Sequence, residues 1–227
     1  MRAGDGRRSA LRAPVFAAAG MLPFLAGCAA TQDVDVAPSF PVLPAAGLPA
    51  GQFMVAIDES AMVAEANQEG FACPGGRYRL DLRTSFGEAV DQTVRQAVRT
   101  VSAGHEDERD VLGRPAGHVS VMADNLVVAV TSSDGFWLPV TRAQAALRAT
   151  VRLRTADGRT TERALAGFAE AERSGTRACD HTDDLLALAV QGAMGELMRE
   201  VAIVVRGAAL AAEPPSIMVM AETDTMT

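Results

Sequence analysis

Lysine is absent from this chain of 227 residues, and every one of its 21 strong bases is an arginine. That excludes Schiff-base lysines and lysine-containing phosphate loops. Also missing are a Gly-x-Ser-x-Gly elbow, a His-Glu-x-x-His pair and a glycine-rich phosphate cradle. No catalytic residues and no cofactor are therefore assigned, and the expectation is a protein that is not an enzyme. Net positive charge is short as well. The formal charge is −7, and residues 1–27 hold four Arg against one Asp, so the remainder carries −10. A chain that acidic is a poor nucleic-acid binder, because phosphate contacts need clustered cations. Cysteine occurs three times, at Cys28, Cys73 and Cys179, and tryptophan once, at Trp137.

What is present begins with an export signal. Arg2, Arg7, Arg8 and Arg12 precede an apolar run from Ala13 to Ala26, a stretch too short and wrongly flanked for a membrane span. It ends in Leu25-Ala26-Gly27-Cys28, which resembles the recognition box of bacterial lipoproteins at every position. That resemblance implies cleavage before Cys28, a diacylglycerol on its sulfur and an acyl chain on its amine. The plainer alternative is a secretory signal that happens to contain a Cys. Residues 1–27 are thus expected as signal peptide and the membrane as a partner through lipid on Cys28. Ala29 after the Cys leans toward the outer membrane, periplasmic face, by analogy with the family. With Cys28 taken, Cys73 and Cys179 remain in an oxidising space, where two leftover thiols more often pair than stay free.

Residues 28–51 are rich in Ala and Pro, with Pro38, Pro41, Pro44 and Pro49 and no period. Such a stretch favours extended geometry and reads as a tether. From Gly207 to Thr227, with Pro214-Pro215 and an acidic close, the chain reads as a loose tail.

Between them, 52–206 carries the patterned elements of one domain. Phe53–Ile57 and Tyr78–Leu82 read as strands, and 58–71 as loop with possible helix. Ser85 and Glu88 make a capping box for a helix ending near Gly104, with Phe86, Ala89, Val90, Thr93, Val94, Ala97, Val98 and Val101 as its buried stripe. His118–Thr131 alternates but changes phase, which predicts a bulge at Asp124-Asn125. Asp157-Gly158 predicts a two-residue hairpin turn. Counting outward from it pairs Leu153 with Glu162, Val151 with Ala164, Ala149 with Ala166 and Leu147 with Phe168. The other face then carries Arg148, Arg152, Arg154 and Arg163. Thr182, with Asp183 and Asp184 behind it, opens a last helix that is apolar over much of its girth, and Gly192 and Gly195 allow a close neighbour. The predicted class is α+β: a two-layer sandwich, a small, mostly antiparallel sheet with two helices on one face.

Three groups of residues are weighed for chemistry. Cys179-Asp180-His181 with Cys73 could supply zinc ligands, but a disulfide competes for both thiols, so no metal is assigned. His105 with Glu106, Asp107, Glu108 and Asp110 reads as a solvated loop, with weak calcium binding as its alternative. The Arg face could engage an anionic partner, or could be neutralised by Glu170 and Glu172. Phe136 and Trp137, in the Ser132–Pro139 loop, are expected to dock a partner with the Arg face as rim; the alternative is that Trp137 plugs the core.

A lipobox followed by strand, helix, strands and helix is similar to small envelope lipoproteins that act as accessory subunits. These include the lipoprotein partner of the outer-membrane lipopolysaccharide translocon and the auxiliary lipoproteins of ABC-type lipid transporters. The resemblance implies a non-enzymatic accessory or scaffold subunit of an envelope transport or assembly complex, with an unidentified protein partner. The competing class is a periplasmic enzyme or metal-binding protein.

Overall fold

One strand of 18 residues organises the sheet, and the strands on its two edges set every other position. In the computed structural model, residues 31–44, 49, 52–70, 76–101, 115–134, 138–175 and 180–211 are described. They form β1 (Thr31–Val34), β2 (Gln52–Asp58), β3 (Val63–Gly70), β4 (Arg77–Asp81), α1 (Arg83–Ala97), β5 (Arg99–Val101), β6 (Gly117–Asp134), β7 (Pro139–Thr155), β8 (Thr160–Ser174) and α2 (Thr182–Ala211). At about 3.3 Å per residue, β6 runs for roughly 56 Å. β7 lies antiparallel along one of its edges from Gly117↔Thr155 to Asp134↔Pro139. The other edge is divided. β2 runs parallel to Gly117–Met122 and β3 parallel to Val130–Ser132.

β5 then pairs with β2, β4 with β3, β1 with β4, and β8 with β7, completing eight strands. The class is α+β, but the sheet is mixed rather than mostly antiparallel: four of the seven pairings are parallel. Side-chain alternation fixes which face a strand buries and says nothing about its direction. The parallel pairs were therefore not legible in the pattern.

Of the stretch 58–71 expected as loop with possible helix, Asp58 ends β2, a turn closed by Met62 N–H on Glu59 O follows, and Val63–Gly70 is β3. The inward positions of β3 are Ala64, Ala66 and Gln68, too weakly apolar to announce a strand. β6 is continuous, and its register shifts between Ala123 and Asn125, at the predicted bulge.

Helix α1 buries Phe86, Ala89, Val90, Thr93, Val94 and Ala97, the stripe its spacing predicts. Its ends differ from the prediction. It starts at Arg83, where the Asp81 carboxylate accepts the Arg83 N–H at 3.3 Å. The Ser85 hydroxyl donates instead to the Val36 carbonyl, so the capping box is not formed. The helix stops at Ala97, because Val98 is extended and Arg99–Val101 pairs with β2.

The β7–β8 hairpin also departs from the predicted register. Gly158 N–H donates to Thr155 O at 2.9 Å, and Thr155 N–H to Arg159 O at 2.9 Å. Gly158 has a φ of 85°. Ala156-Asp157-Gly158 is therefore a three-residue loop ending in a left-handed residue, not a two-residue turn. One extra loop residue moves every β8 partner by one. Leu153 faces Thr161, Val151 faces Arg163, Ala149 faces Leu165 and Leu147 faces Gly167.

The alternate residues of β7 from Thr141 to Thr155 are buried. They join inward residues of β6 and the apolar faces of both helices in one core. α2, about 45 Å long, lies on β7 and β8, and α1 lies on α2 and β2. Among the described residues no helix is long and apolar enough to cross a membrane.

The stretch expected as tether is in part folded onto the domain. Val34 and Val36 are buried. Ser39 N–H donates to the Met194 sulfur at 3.4 Å, and Leu43 N–H to the Gln96 side-chain oxygen at 2.8 Å. A Cβ on Gly195 would lie 2.9 Å from the Ser39 hydroxyl, so that glycine lets the segment approach α2. At the other end, α2 takes in residues 207–211, which the composition assigned to the tail.

Candidate binding face

The sheet face that carries Arg148, Arg152 and Arg154 can be read row by row from the register. At the hairpin end, His118 lies across from Arg154, Ser120 across from Arg152, and Met122 across from Thr150. Arg152 in turn faces Glu162, and Arg154 faces Thr160. Beyond the bulge come Asn125 opposite Arg148, Val127 opposite Ala146, Ala129 opposite Gln144 and Thr131 opposite Arg142. Ala146 faces Phe168 on β8, giving an apolar row in which Val127 and Phe168 are 52% and 56% exposed.

Charges on this face are paired unevenly. Arg142 reaches Glu170 at 2.9 Å and Glu172 at 2.8 Å. Arg152 donates through Nε and Nη2 to Glu162 at 2.8 and 2.7 Å. Thr150 donates to Asp124, the extra residue of the bulge, at 2.8 Å. Glu170 and Glu172 thus serve Arg142, and among the described residues no carboxylate pairs with Arg148 or Arg154. His118, Ser120, Met122, Arg152 and Arg154 line an open recess of about 500 Å³.

Of the predicted Arg face, Arg148, Arg152 and Arg154 do share one surface. Arg163 does not: it pairs with the buried Val151, so the one-residue change in loop length puts it on the opposite face. Ser132–Asp134, expected as the start of a loop reaching Pro139, belong to β6, and Pro139 begins β7; nor does the Arg face form a rim for the segment between them. Arg152 and Arg154 lie 13 and 15 residues along β7 from Pro139, roughly 43 and 50 Å away. Phe136 and Trp137 lie outside the described residues, as do Cys28, Cys73, Cys179 and His105–Asp110.

The sequence reading did not assign His118, Ser120 and Met122 to a site. Their signal was the alternation of β6 ahead of its bulge, which puts them on one face once β6 pairs with β7. Elsewhere, His181, Asp183 and Asp184 bring potential ligand atoms within 4.8 Å of one another, with His181 and Asp184 exposed. His181 Nδ1 is 3.4 Å from the Asp184 carboxylate. Asp81 is the most perturbed carboxyl among the described residues, held down to about 2 chiefly by hydrogen bonding to the Arg83 guanidinium.

No protein-family model matches this chain, and no curated protein matches its sequence. Among solved structures it is similar to a Xanthomonas campestris protein of the family DUF330, at 14% identity over 81% of this chain and 96% of that one, with a TM-score of 0.41. A neuraminyllactose-binding hemagglutinin homologue from Helicobacter pylori is similar at 8% identity over 74% and 90%, TM-score 0.43. A minor lipoprotein from Acinetobacter baumannii is similar at 10% identity over 71% and 95%, TM-score 0.37. At these values the likeness transfers neither family nor role.

Proposed function

We propose that this chain is a non-enzymatic lipoprotein, anchored through Cys28 at the periplasmic face of the outer membrane, that serves as accessory or scaffold subunit of an envelope transport or assembly complex. One relation along the chain carries the reading. The lipobox Cys28 stands three residues before Thr31, where β1 begins and pairs with β4. Three residues span at most about 11 Å. A lipid on Cys28 would therefore hold the sheet itself beside the bilayer, with no long tether between them.

The register says which end of the sheet that is. Thr31 pairs with Arg77, Arg77 with Asn67, and the neighbouring Gln68 with Val130. A lipid on Cys28 would thus lie toward the end of the sheet where Asp134 pairs with Pro139. The hairpin end, with His118 and Arg154, points away. A sheet fixed so closely presents its faces to neighbours in a set orientation, which suits a scaffold better than a mobile carrier. We read the architecture as two layers, both helices on one face and the Arg-bearing face left to a partner.

Replacing Cys28 with Ser tests the anchor. The wild-type chain is expected to incorporate palmitate and fractionate with membranes, and the variant to lose both. Membrane retention of a normally processed Ser variant would remove the anchor from the proposal. Cross-linking in intact membranes tests the scaffold role, which fails if only the chain itself is recovered.

A further inference from the structure

We propose that the recess formed by His118, Ser120, Met122, Arg152 and Arg154 binds a small soluble molecule that carries a phosphate group and an apolar part. The site goes beyond the scaffold reading. Arg152 and Arg154 are alternate residues on one face of β7, so their stems stand roughly 7 Å apart. From β6, His118 pairs with Arg154 and Ser120 with Arg152, and all four line the recess. Donors therefore come from two strands around one space of about 500 Å³.

A planar carboxylate can be satisfied by one guanidinium fork, and Arg152 already directs Nε and Nη2 at one oxygen, Oε2, of Glu162. The remaining donors are spread over separate positions, which suits the several outward oxygens of a phosphate. Arg154 supplies the unneutralised charge, since among the described residues no carboxylate pairs with it. The recess is far larger than one phosphate, and Met122 gives it an apolar wall. A phosphate bearing a ring or a short aliphatic group fills both parts.

The source is a soluble molecule and not a headgroup of the anchoring bilayer. His118 lies 12 residues from Val130 along β6, roughly 40 Å from the end where Thr31 enters. Only this clause rests on the anchored reading; the recess and its chemistry do not.

Calorimetric titration of the full-length chain in neutral detergent with phenyl phosphate tests the site without a membrane. Saturable one-to-one binding is expected, weakened about tenfold or more by Arg154→Gln, which removes the charge-assisted contact. Arg148→Gln, on the same face but outside the recess, is expected to leave it unchanged. Equal loss in both variants would mean general attraction to a cationic face and would overturn the site. Absence of saturable binding to the wild type would overturn it too. Inorganic phosphate is expected to bind more weakly, and parity would remove the apolar wall from the proposal. Binding to phosphatidylglycerol vesicles but not to phenyl phosphate would overturn the soluble source. Should Arg154→Gln fail to fold, the wild-type His118 ring signals decide by NMR: they shift on saturation if the site is correct, and unchanged signals overturn it.

Discussion

Gln68 Nε2 donates to Ser132 Oγ at 2.9 Å, joining β3 to β6 inside the sheet near the end where Asp134 pairs with Pro139. The bond is the middle of a buried chain. Tyr78 OH donates to the other side-chain atom of Gln68 at 3.0 Å, and Ser132 Oγ lies 3.1 Å from Thr141 Oγ1. Four strands are thus tied through side chains where a glutamine would otherwise be costly to bury.

Replacing Gln68 with Leu keeps the volume but removes the partner of the Tyr78 hydroxyl, while Ser132 Oγ keeps Thr141 Oγ1 at 3.1 Å. The expected cost is about 1–3 kcal/mol for the buried hydroxyl left unpaired. A clear fall in the urea midpoint with an unchanged m-value is the expected result. Tyr78→Phe in the Gln68→Leu background should then cost little more, because the bond it removes is already gone.

Gly167 and Phe168 distinguish the observed hairpin register from the one the turn sequence suggests. A Cβ on Gly167 would stand 2.0 Å from the Ala193 carbonyl oxygen, because α2 crosses β8 at that point. Gly167→Ala must push the helix away and should cost about 1–3 kcal/mol or more. Phe168, half-exposed on the open face, should tolerate Ala within about 1 kcal/mol in a thermal melt. In the alternative register Phe168 would lie in the core, and its truncation would cost about 3–5 kcal/mol.

The same pair shows where sequence reasoning ran out. Ala164, Ala166 and Phe168 look like a core stripe, and Asp157-Gly158 is a strong signal for a two-residue turn, so pattern and turn agreed on a register that is off by one. Side-chain bulk is no guide where alanines occupy both faces of β8, and the deciding contact is made by a helix that follows in the chain. By contrast the α1 stripe and the Asp124 bulge were readable, because each is a local period or a break in one. Arg148, Arg152 and Arg154 were legible as one face for the same reason. His118 and Ser120 joined them only through a pairing between strands.

Thr93 lies fully buried on α1, and its hydroxyl finds no hydrogen-bond partner among the described residues. An unpaired buried hydroxyl costs free energy that an apolar isostere of the same shape avoids. Thr93→Val should therefore leave the melting temperature unchanged or raise it, where most core substitutions lower it.

Asp81 and Arg83 make an exposed pair whose effect has a defined sign. Hydrogen bonding to Arg83 lowers the Asp81 pKa from 3.8 to about 2. A folded-state pKa below the unfolded one contributes stability that is fully present above about pH 4 and is lost as pH falls through about 2. Arg83→Gln should bring the Asp81 carboxyl signal, followed by NMR titration, back toward the ordinary range. The difference in stability between wild type and variant should shrink on acidification.

A disulfide between Cys73 and Cys179 is the last prediction, and the ends of the described strands bear on it. Both cysteines lie outside the described residues, but the chain leaves the sheet on either side of them at one end. Gly70 pairs with Ser132, Ser132 with Thr141, and Ser174 with Val140. From β3 to β8 is three strand spacings, roughly 14 Å. Cys73 is three residues beyond Gly70 and Cys179 four beyond Gly175, and each residue reaches up to about 3.5 Å, so the thiols are within span of each other. The bond would span the end of the sheet where β6 passes into β7 and tie the start of α2 to β3. Closing a loop of that length contributes about 4–5 kcal/mol in the chain-entropy model, less any strain. Thiol labelling of the unreduced, denatured chain should leave both cysteines unmodified, and reduction should lower the urea midpoint. Labelling of both without reductant would rule the bond out.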